Sequence, residues 1–519
     1  MPYDYKPFPY ETPAPLKRGE AVEKLGVAIV GAGPIGLALA IDLAQRGVPS
    51  VVLDDNDVVS VGSRAICWAK RTLEIFDRLG VGDRMVSKGV GWQVGRTYHR
   101  DREVWSFDLL PEAGHKMPAF INLQQYYVEE YLVERCRDFP NLIDLRFKNR
   151  VASVTRDGHA EVETPDGAYA VEAEWLVACD GARSPIREAL GLDFGGELFE
   201  ERFLIADIHM EADFPAERRF WFEPEFHEGQ SALLHRQPDD IYRIDLQLGW
   251  DADPEEERKP EKVIPRIRKA VGDREFSLEW VSVYTFQCRR LEQFVHDRVV
   301  FCGDSAHVVS PFGARGGNGG VQDVDNLGWK LAAVLRGEAP ASLLGSYDAE
   351  RVHGADENIR NSARATRFMT PEEGAERLFR DEVLRLAAVA PFARSMVNSG
   401  RLSRPCAYDA GPLNGPDAAL PEGARPGAPC PDAPLGDGWL LHALAPGFTL
   451  LCLGCEATLA GAETVAIPDP GPELRARYLG KAGSAVYLIR PDQHVAARWT
   501  DWDPRQGAAA LARALGKDA

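Results

Sequence analysis

The sequence lacks any long uninterrupted hydrophobic run. No apolar stretch among its 519 residues approaches the ~20 residues that a membrane-spanning helix needs. The N-terminal segment Met1–Tyr5 has neither the basic start nor the apolar stretch of a secretory signal peptide. These two absences predict that the chain does not span a membrane and that it is cytoplasmic.

Positive charge is also in short supply. Lys and Arg number 60 against 79 Asp and Glu, which gives a formal net charge of −19 at pH 7. Because such a surface repels the phosphates of a nucleic acid, the sequence predicts no nucleic-acid partner.

Cysteine is too scarce and too scattered to build a disulfide scaffold. The chain has nine cysteines, of which Cys452 and Cys455 have CxxC spacing. Because this pair follows the apolar run Phe448–Leu451 and opens no evident helix, buried thiols at a strand end are favoured over a redox pair. No second cysteine pair or histidine cluster completes a zinc site, so no metal is predicted.

A complete βαβ unit stands near the start of the chain. The apolar run Leu25–Val30 predicts a strand, Gly31-x-Gly33-x-x-Gly36 and a helical pattern follow, and the next strand ends at Asp54. Glycines at this spacing permit a tight turn, close approach of the backbone to a pyrophosphate, and close helix–strand packing. The unit predicts a dinucleotide site without distinguishing FAD from NAD.

Two later strand-to-helix turns also carry a carboxylate. The first has Asp180–Gly181 after the apolar run Trp175–Cys179. The second has Gly303–Asp304 and continues through Pro311 to a glycine-rich helix start at Gly313–Gly320. A carboxylate can accept hydrogen bonds from a sugar, and a helix N-terminus favours an anion. With the first turn, they predict one large cofactor held from both sides.

In order and content, the three turns resemble the fingerprints of the single-component flavoprotein aromatic hydroxylases, typified by para-hydroxybenzoate hydroxylase and phenol hydroxylase. The matching residues are the first glycine motif with Asp54, the Asp180 turn, and Gly303-Asp304 with His307 and Pro311. The resemblance covers about residues 25–370. The C-terminal part is similar to the thioredoxin-like domain of the 3-(3-hydroxyphenyl)propionate hydroxylase branch.

This resemblance implies an α/β fold. A Rossmann-like FAD-binding domain would be interleaved with an antiparallel-sheet substrate domain and followed by a thioredoxin-like α/β domain. By analogy with the family, the terminal domain also suggests a homodimer. The expected boundaries are an N-terminal arm at 1–24, the FAD-binding domain at 25–195 and, with a helical region, at 286–400, the substrate sheet at 196–285, a Pro- and Gly-rich linker at 401–438, and the thioredoxin-like domain at 439–519.

The resemblance further implies a set of FAD-binding residues. The glycines of the first turn and Arg64 would contact the pyrophosphate, Asp54 the adenosine ribose, and Asp304 the ribityl chain. Backbone N–H groups of Gly316–Asn318 would face the pyrimidine edge of the flavin. The full expected set is Gly31, Gly33, Gly36, Asp54, Arg64, Gln125, Val151, Asp180, Asp304, Pro311, Gly316, Gly317 and Asn318.

The implied activity is hydroxylation of a phenolic compound by an FAD-dependent monooxygenase. NAD(P)H would reduce the flavin, O₂ would add to give a flavin hydroperoxide, and an electron-rich ring would attack its distal oxygen. No second GxGxxG motif follows a later strand, so NAD(P)H is expected to bind transiently, without a Rossmann domain of its own. Arg315 departs from the family, which often has glutamine there, and adds a cation.

The alternating segment at 196–285 supplies candidates for the substrate pocket. Arg243, Asp245 and Gln247 fall on one face of a strand. That face either lines the pocket, where Arg243 would pair with a substrate carboxylate, or is solvated. A structural role is favoured over that of a base for His307. The catalytic candidates are Arg64, Pro311, His235 and Arg243, and the wider pocket set adds Arg236, Tyr242 and Gln247.

Two other functions fit the same motifs. One is an FAD-dependent dehydrogenase or reductase on the same scaffold, and the other is a non-catalytic FAD-binding protein that uses its terminal domain for assembly. Oxygen incorporated into a product would favour the hydroxylase, whereas flavin reduction without oxygen dependence would favour the dehydrogenase. The motifs do not distinguish NADH from NADPH, or one aromatic ring from another.

Overall fold

The computed structural model describes residues 3–249, 251–398 and 402–517. Within these ranges, the chain forms two eight-stranded sheets, one four-stranded sheet, one three-stranded sheet and a two-stranded ribbon. None of the described helices is both long and apolar enough to cross a membrane. The helices are α1 Ala14–Arg18, α2 Pro34–Gln45, α3 Lys70–Leu79, α4 Gly82–Lys88, α5 Gln125–Cys136, α6 Pro185–Ala189, α7 Pro254–Glu257, α8 Pro260–Val271, α9 Gly316–Leu335, α10 Leu344–Met369, α11 Ala375–Ala387, α12 Pro391–Arg394, α13 Leu440–Ala443, α14 Pro472–Leu474 and α15 Pro504–Ala514.

The first eight-stranded sheet forms the centre of the N-terminal half. Its strands are β1 Val22–Val30, β2 Ser50–Leu53, β8 Ile143–Arg146, β9 Arg150–Val154, β10 His159–Thr164, β11 Gly167–Ala178, β17 Val295–His296 and β18 Val299–Phe301. The order is β17-β18-β11-β1-β2-β8, with β10 and β9 extending from β11. The pairs from β18 through β8 are parallel. Their apolar residues are buried, as in sheets covered on both faces. The predicted βαβ unit is confirmed as β1-α2-β2.

The second eight-stranded sheet is larger than the predicted substrate sheet. Its strands are β5 Val94–His99, β6 Arg102–Asp108, β12 Phe194–His209, β13 Arg218–Phe222, β14 Ser231–Arg236, β15 Ile241–Gln247, β16 Ser277–Leu291 and β19 His307–Val308. The order is β19-β16-β12-β15-β14-β13-β5-β6. Because β5 pairs in parallel with β13, the sheet is mixed, although an antiparallel one was expected. β5 covers an edge of β13 that would otherwise leave its backbone groups unpaired.

Both faces of this second sheet carry clusters of buried apolar residues. On one face, apolar side chains pack with Val263 and Ile267 of α8. On the other, aromatic side chains pack with Met369 of α10, Leu384 of α11 and the loop residue Phe312. The expectation of a solvated face is therefore wrong for the face that carries Arg243.

A small sheet lies beside the second sheet. Its strands are β3 Cys67–Ala69, β4 Val90–Trp92 and β7 Phe120–Asn122, and β7 is central. The side chain of Asn122 accepts a hydrogen bond from the Trp92 indole at 2.8 Å and donates to the carbonyl of Arg236 at 2.7 Å. The bond to Arg236 ties the small sheet to β14.

The C-terminal part contains the four-stranded sheet. Strands form at Thr449–Leu453 and Ala485–Ile489, and α14 continues into a π-helical turn at Arg475–Leu479. The strand order is β23-β22-β24-β25, with β22 and β23 parallel and the other pairs antiparallel. The thioredoxin-like assignment of this domain stays a prediction. The strands are β20 Pro434–Leu435 and β21 Gly438–Trp439 in the ribbon, and β22 Thr449–Leu453, β23 Glu463–Ile467, β24 Ala485–Ile489 and β25 Val495–Trp499 in the sheet.

The predicted linker contains little regular structure but is packed into the protein. The ring of Tyr408 is buried and stacks on His494 with centroids 4.9 Å apart. Its hydroxyl accepts a hydrogen bond from Arg351 of α10 at 2.9 Å. The segment therefore lies between the two parts of the chain and contacts both.

A buried network of charges fixes the C-terminal domain to the helices of the N-terminal part. Arg490, at the end of β24, donates to both carboxylate oxygens of Glu350 in α10, at 2.7 and 2.9 Å. Lys330 of α9 donates to the same carboxylate at 2.7 Å. Asp492 also accepts from Arg490, and its carbonyl accepts from Arg71 of α3 at 2.7 Å. Three helices of the N-terminal part thus hold one turn of the C-terminal domain.

Candidate active site

The first glycine turn assigns different roles to its three glycines. A Cβ on Gly31, where φ is 109°, would lie 2.4 Å from the carbonyl oxygen of Cys179. A Cβ on Gly36 would lie 2.0 Å from the carbonyl oxygen of Gly31. A Cβ on Gly33 would meet no atom within 4 Å. Gly31 and Gly36 are therefore required by packing, whereas Gly33 borders open space that suits a pyrophosphate.

Asp54 closes this turn at the end of β2. Its carboxylate accepts hydrogen bonds from the backbone N–H groups of Ala32, at 2.5 Å, and Asn56, at 2.8 Å. Burial raises the pKa of the Asp54 carboxyl. The Asp54 carbonyl accepts from the N–H of Asn149, which brings the start of β9 and the half-buried Val151 to this end of the sheet. The arrangement leaves acceptor capacity on Asp54 for a ribose hydroxyl.

Gln125 and Glu129 of α5 shape the loop that carries Arg64. The Gln125 carbonyl oxygen accepts from the N–H of Ala65 at 3.1 Å, and its amide nitrogen donates to Glu129 at 2.8 Å. The buried Glu129 accepts from the Ser60 hydroxyl at 2.7 Å. Arg64 itself is exposed. Gln125 therefore supports the loop, and its predicted contact with FAD stays a prediction.

Arg243 is already paired within the protein. It is 4% exposed, and its Nε donates to the Asp207 carboxylate at 3.0 Å. Its Nη1 donates to the Arg64 carbonyl at 2.8 Å, and its Nη2 donates to the Ser63 hydroxyl. This geometry supports a positioning role for Arg243 toward the Arg64 loop in place of the expected pairing with a substrate carboxylate.

Replacing Arg243 with Lys tests this positioning role. We expect Arg243→Lys to lower the free energy of unfolding by about 1.5–3 kcal/mol, because Lys keeps the charge opposite Asp207 but cannot reach three partners at once. Urea unfolding would measure the loss. Arg236→Lys, which changes a half-buried arginine of the neighbouring strand, is the matched control. Equal stability of wild type and Arg243→Lys would contradict the role.

Asp180 supplies a buried polar atom without a partner. Its Oδ2 accepts from the Ser184 hydroxyl at 2.7 Å and from the N–H of Ile186 at 3.1 Å, which caps α6. Its Oδ1 is buried and has no hydrogen-bond partner in the described ranges. Burial raises the pKa of this carboxyl. A buried orphan oxygen of this kind fits a ligand hydroxyl.

The third turn exposes the residues expected to face the flavin. The side chains of Asp304 and Pro311 are both exposed. Gly316–Asn318 open α9, so their backbone N–H groups have no acceptor one turn earlier in the helix. The Asn318 side chain donates to the Cys67 carbonyl at 2.9 Å, which fixes β3 against the helix. These positions fit the pyrimidine edge and ribityl chain of a flavin.

His307 lies in a buried network behind this turn. Its Nε2 is 2.7 Å from Oδ2 of Asp323, which also accepts from the N–H of Gly303 at 2.9 Å. Oδ1 of Asp323 accepts from Arg351 at 2.5 Å. Although burial opposes ionisation, His307 and Arg351 hold the pKa of Asp323 below its usual value. The geometry supports the favoured structural role of His307.

Arg315, the departure from the family pattern, is 4% exposed. Its Nη1 donates to the side chain of Asn358 in α10 at 2.9 Å, and its Nη2 donates to the Leu402 carbonyl at 3.4 Å. The cation therefore links α9 to α10 and to the following segment.

An aromatic cluster covers the second sheet next to Pro311, and the sequence analysis missed it. The rings of Phe203, Phe286 and Phe312 have centroids 5.0–5.1 Å apart. Phe203 and Phe286 come from different strands, and Phe312 comes from the third turn. Only their apolar character was visible in the sequence, because their proximity depends on strand pairing.

Two of the predicted pocket residues lie on the opposite face of the sheet. The Tyr242 hydroxyl donates to the Ala212 carbonyl at 2.6 Å, and the Arg236 guanidinium donates to the Phe214 carbonyl at 3.3 Å. Neighbours of Arg243 and His235 along their strands necessarily point away from them. The expectation that Arg236 and Tyr242 line the pocket with Arg243 is therefore wrong.

His235 and Gln247 lie on the same face as Arg243. His235 is directly opposite Arg243 on β14, is buried, and has no partner for its Nδ1 among the described residues. Burial lowers the pKa of His235 well below its usual value, so it is neutral near pH 7. Gln247 accepts from the N–H of Ser231 at 2.8 Å, which holds β14 to β15.

The structure supports the interpretation as a buried thiol for Cys452, whereas Cys455 is only partly buried. Cys452 lies within β22, Cys455 lies in the turn that follows, and both are free. Burial raises the pKa of both thiols. A separate group of possible metal ligands consists of His353, Glu357 and Cys406. The Cys406 thiol donates to Glu357 at 3.2 Å, which accounts for that placement without an ion.

A family profile described as an FAD binding domain matches residues 24–362. The chain belongs to this FAD-binding domain family. A 3-(3-hydroxy-phenyl)propionate/3-hydroxycinnamic acid hydroxylase of Mycolicibacterium smegmatis is 29% identical over 82% of this chain and 76% of the relative. A 12-dehydrotetracycline 5-monooxygenase/anhydrotetracycline 6-monooxygenase of Streptomyces rimosus subsp. rimosus is 30% identical over 94% of this chain and 97% of that protein.

A solved structure of a flavin-dependent monooxygenase, PieE with FAD and substrate, has a similar fold. The TM-score is 0.79 at 23% identity, over 96% of this chain and 100% of that chain. The family membership and the named relatives confirm the resemblance and FAD as the cofactor. The likeness to the solved structure confirms the α/β fold class. The roles of individual residues toward FAD stay predictions that the geometry of the three turns supports.

Proposed function

We propose that this member of the FAD-binding domain family is a monooxygenase that hydroxylates a phenolic aromatic compound with NAD(P)H and O₂. The observation that carries the proposal is the aromatic and polar face of the second sheet, which meets the third turn at Phe312 and Pro311. The names of the two similar proteins describe a hydroxylase of 3-(3-hydroxy-phenyl)propionate and 3-hydroxycinnamic acid, and a monooxygenase of 12-dehydrotetracycline and anhydrotetracycline. These names support the reaction type but do not identify the substrate of this chain.

The residues of the three turns fit FAD. Gly33 would adjoin the pyrophosphate, Asp54 would accept from the ribose, and Asp304 would accept from the ribityl chain. The N–H groups of Gly316–Asn318 would stabilise negative charge on the pyrimidine edge, because a helix N-terminus is electropositive. Bound FAD would supply the transfer of electrons from NAD(P)H and the activation of O₂.

The surroundings of the third turn suit a reaction that water must not enter. The aromatic cluster of Phe203, Phe286 and Phe312 would exclude water from the ring being hydroxylated. Arg64, exposed on its loop, would meet the anionic groups of NAD(P)H at the entrance. NAD(P)H would therefore bind transiently at the surface.

Measurement of oxygen transfer tests this proposal. The purified protein should show a flavin spectrum and oxidise NADH or NADPH faster when a suitable phenol is present. With ¹⁸O₂, the product should carry one labelled oxygen atom. Flavin reduction independent of oxygen would instead support the dehydrogenase, and a protein that cannot be loaded with FAD would exclude both enzymatic functions.

The proposal extends to a cytoplasmic homodimer. A cytoplasmic location would give access to NAD(P)H, and pairing through the C-terminal domain follows the analogy with the family. Light scattering on the FAD-loaded protein should give twice the 57.2 kDa mass of one chain. A monomeric mass would remove the dimer from the proposal and leave the reaction unaffected.

A further inference from the structure

Asp245, in the middle of β15, is a partly buried acid. Its Oδ1 is buried and accepts no hydrogen bond from the described residues. Buried carboxylates are ordinarily paired or hydrogen-bonded, so this atom requires an explanation. The nearest candidate cation on the same strand, Arg243, is bonded to Asp207 instead. Asp245 is thus not needed to balance Arg243.

The position of Asp245 on the sheet places it beside the aromatic cluster. Its direct neighbours across the strands are Ile205 on β12 and Leu233 on β14. Leu233 packs in the same cluster as Phe203 and Phe312. Asp245 therefore borders the aromatic cluster on the face that meets the third turn.

The charged and titratable groups around Asp245 come from five other positions. Arg243 adjoins it along β15, Arg218 lies on β13, His235 on β14, and Asp207 on β12. Cys67 of β3 faces it from the small sheet, and burial raises the pKa of that thiol to about 12. At neutral pH, these groups amount to two cations, one anion and two neutral side chains.

These surroundings bring the pKa of the Asp245 carboxyl close to neutral pH. Burial raises its pKa to about 7, Arg243 and Arg218 oppose the rise, and Asp207 adds to it. A carboxyl group with a pKa near the working pH combines a useful fraction of the base form with enough basicity to take a proton. The position of Asp245 and the direction of its pKa shift therefore support the same role.

We infer that Asp245 is the base that accepts the proton of the substrate's phenolic hydroxyl. This inference rests on the proposed function and deepens it, since it requires a substrate with a free phenolic hydroxyl. The O–H bond of the phenol breaks, its proton moves to a carboxylate oxygen of Asp245, and the electron pair stays on the phenolic oxygen. The resulting phenolate is more electron-rich at its ring carbons, and the proton returns to solvent after the product leaves.

The first test compares Asp245→Asn with Asp240→Asn in the FAD-loaded enzyme. Asp240 is exposed in the turn before the same strand, so its substitution removes one charge without touching the site. For Asp245→Asn, we expect kcat for hydroxylation to fall about 10²–10⁴-fold with KM nearly unchanged. Asp245→Glu should recover part of the loss. Asp240→Asn should match wild type.

Two further readouts separate a base from a merely structural residue. In wild type, kcat should rise with pH through about 7, where the Asp245 carboxylate forms, and this rise should be absent in Asp245→Asn. The deficit of Asp245→Asn should also shrink for fluorinated phenols that are already ionised in water. Wild-type kcat and pH profile in Asp245→Asn would overturn the inference.

A test on the wild-type enzyme alone covers the case in which the variant does not fold. The midpoint of the rise of kcat with pH should stay near pH 7 for weakly acidic phenols of different pKa, because this rise reflects ionisation of Asp245. A midpoint that shifts by the same amount as the pKa of the substrate would overturn the inference. If wild type hydroxylates no phenol at all, the proposed function fails, and that outcome is distinct from failure of Asp245 as its base.

Discussion

Replacing Glu350 with Ala is expected to lower the free energy of unfolding by about 3–5 kcal/mol, because removal of one partner leaves buried charges uncompensated. Glu350 is fully buried and receives hydrogen bonds from both Arg490 and Lys330. Although burial opposes ionisation, Arg490 and Lys330 hold the pKa of Glu350 at about 2. The carboxylate is therefore ionised throughout the range in which the protein would be studied.

The pH dependence of the Glu350→Ala deficit has a definite sign. Burial lowers the pKa of Lys330 to about 8, below the value of 10.5 that the unfolded chain has. Between these two values, the unfolded state binds more protons, so a rise in pH favours the folded state. Because Lys330 is charged at pH 7 and neutral at pH 9 in wild type, the deficit of Glu350→Ala should be smaller at pH 9 than at pH 7.

Urea unfolding at pH 7 and pH 9 would measure both effects. Glu338→Ala is the matched control, since Glu338 forms an exposed ion pair with Arg336 at 2.7 Å. Exposed pairs contribute about 0–1 kcal/mol, so this control should be nearly neutral. A Glu350→Ala deficit below 1 kcal/mol would mean that the network does not hold the C-terminal domain in place.

Adding one methyl group to the first glycine turn is expected to remove FAD. For Gly36→Ala, the new Cβ would lie 2.0 Å from the backbone oxygen of Gly31, so the turn itself must shift. We expect the Kd for FAD to rise at least about 100-fold, which corresponds to about 2.7 kcal/mol. The FAD-free protein should also melt at a lower temperature, because the displaced atoms belong to the fold.

Gly33→Ala separates the binding of FAD from the packing of the turn. A methyl group at Gly33 meets nothing within 4 Å in the protein alone. The FAD-free variant should therefore melt like wild type, although its Kd for FAD rises as the methyl group enters the space of the pyrophosphate. Flavin fluorescence titration and thermal melting of the same samples give both values. Binding of FAD with wild-type affinity would falsify the assignment of the pyrophosphate to this turn.

Features encoded in short stretches were predictable from the sequence. The β1-α2-β2 unit and α9 each show the full pattern of apolar spacing and terminal residues within a stretch of about thirty residues or fewer. The three turns follow from the same local patterns, since a glycine or a carboxylate at a strand end has few alternative explanations. This is why the candidate cofactor residues around Gly33, Asp180 and Gly316–Asn318 could be named in advance.

Features that depend on pairing between distant segments were not predictable. Arg243 is opposite Asp207 only because β12 and β15 are neighbours in the sheet. The alternation of β15 identified the shared face of Arg243 and Asp245, but it did not show which of the two has a partner. The pairing of β5 with β13 had no local signal either, because an edge strand accepts many partners.

All nine cysteines are free, and six of them are buried. Eight have a pKa raised by burial, among them Cys302, deep in the strand-to-helix turn. Peroxides react with the thiolate and spare the protonated thiol. A flavin hydroperoxide that met water would collapse to hydrogen peroxide, and the protein that formed it would be the first exposed to that oxidant. Because most of its thiols stay protonated, this protein should resist oxidation by hydrogen peroxide formed at its own flavin.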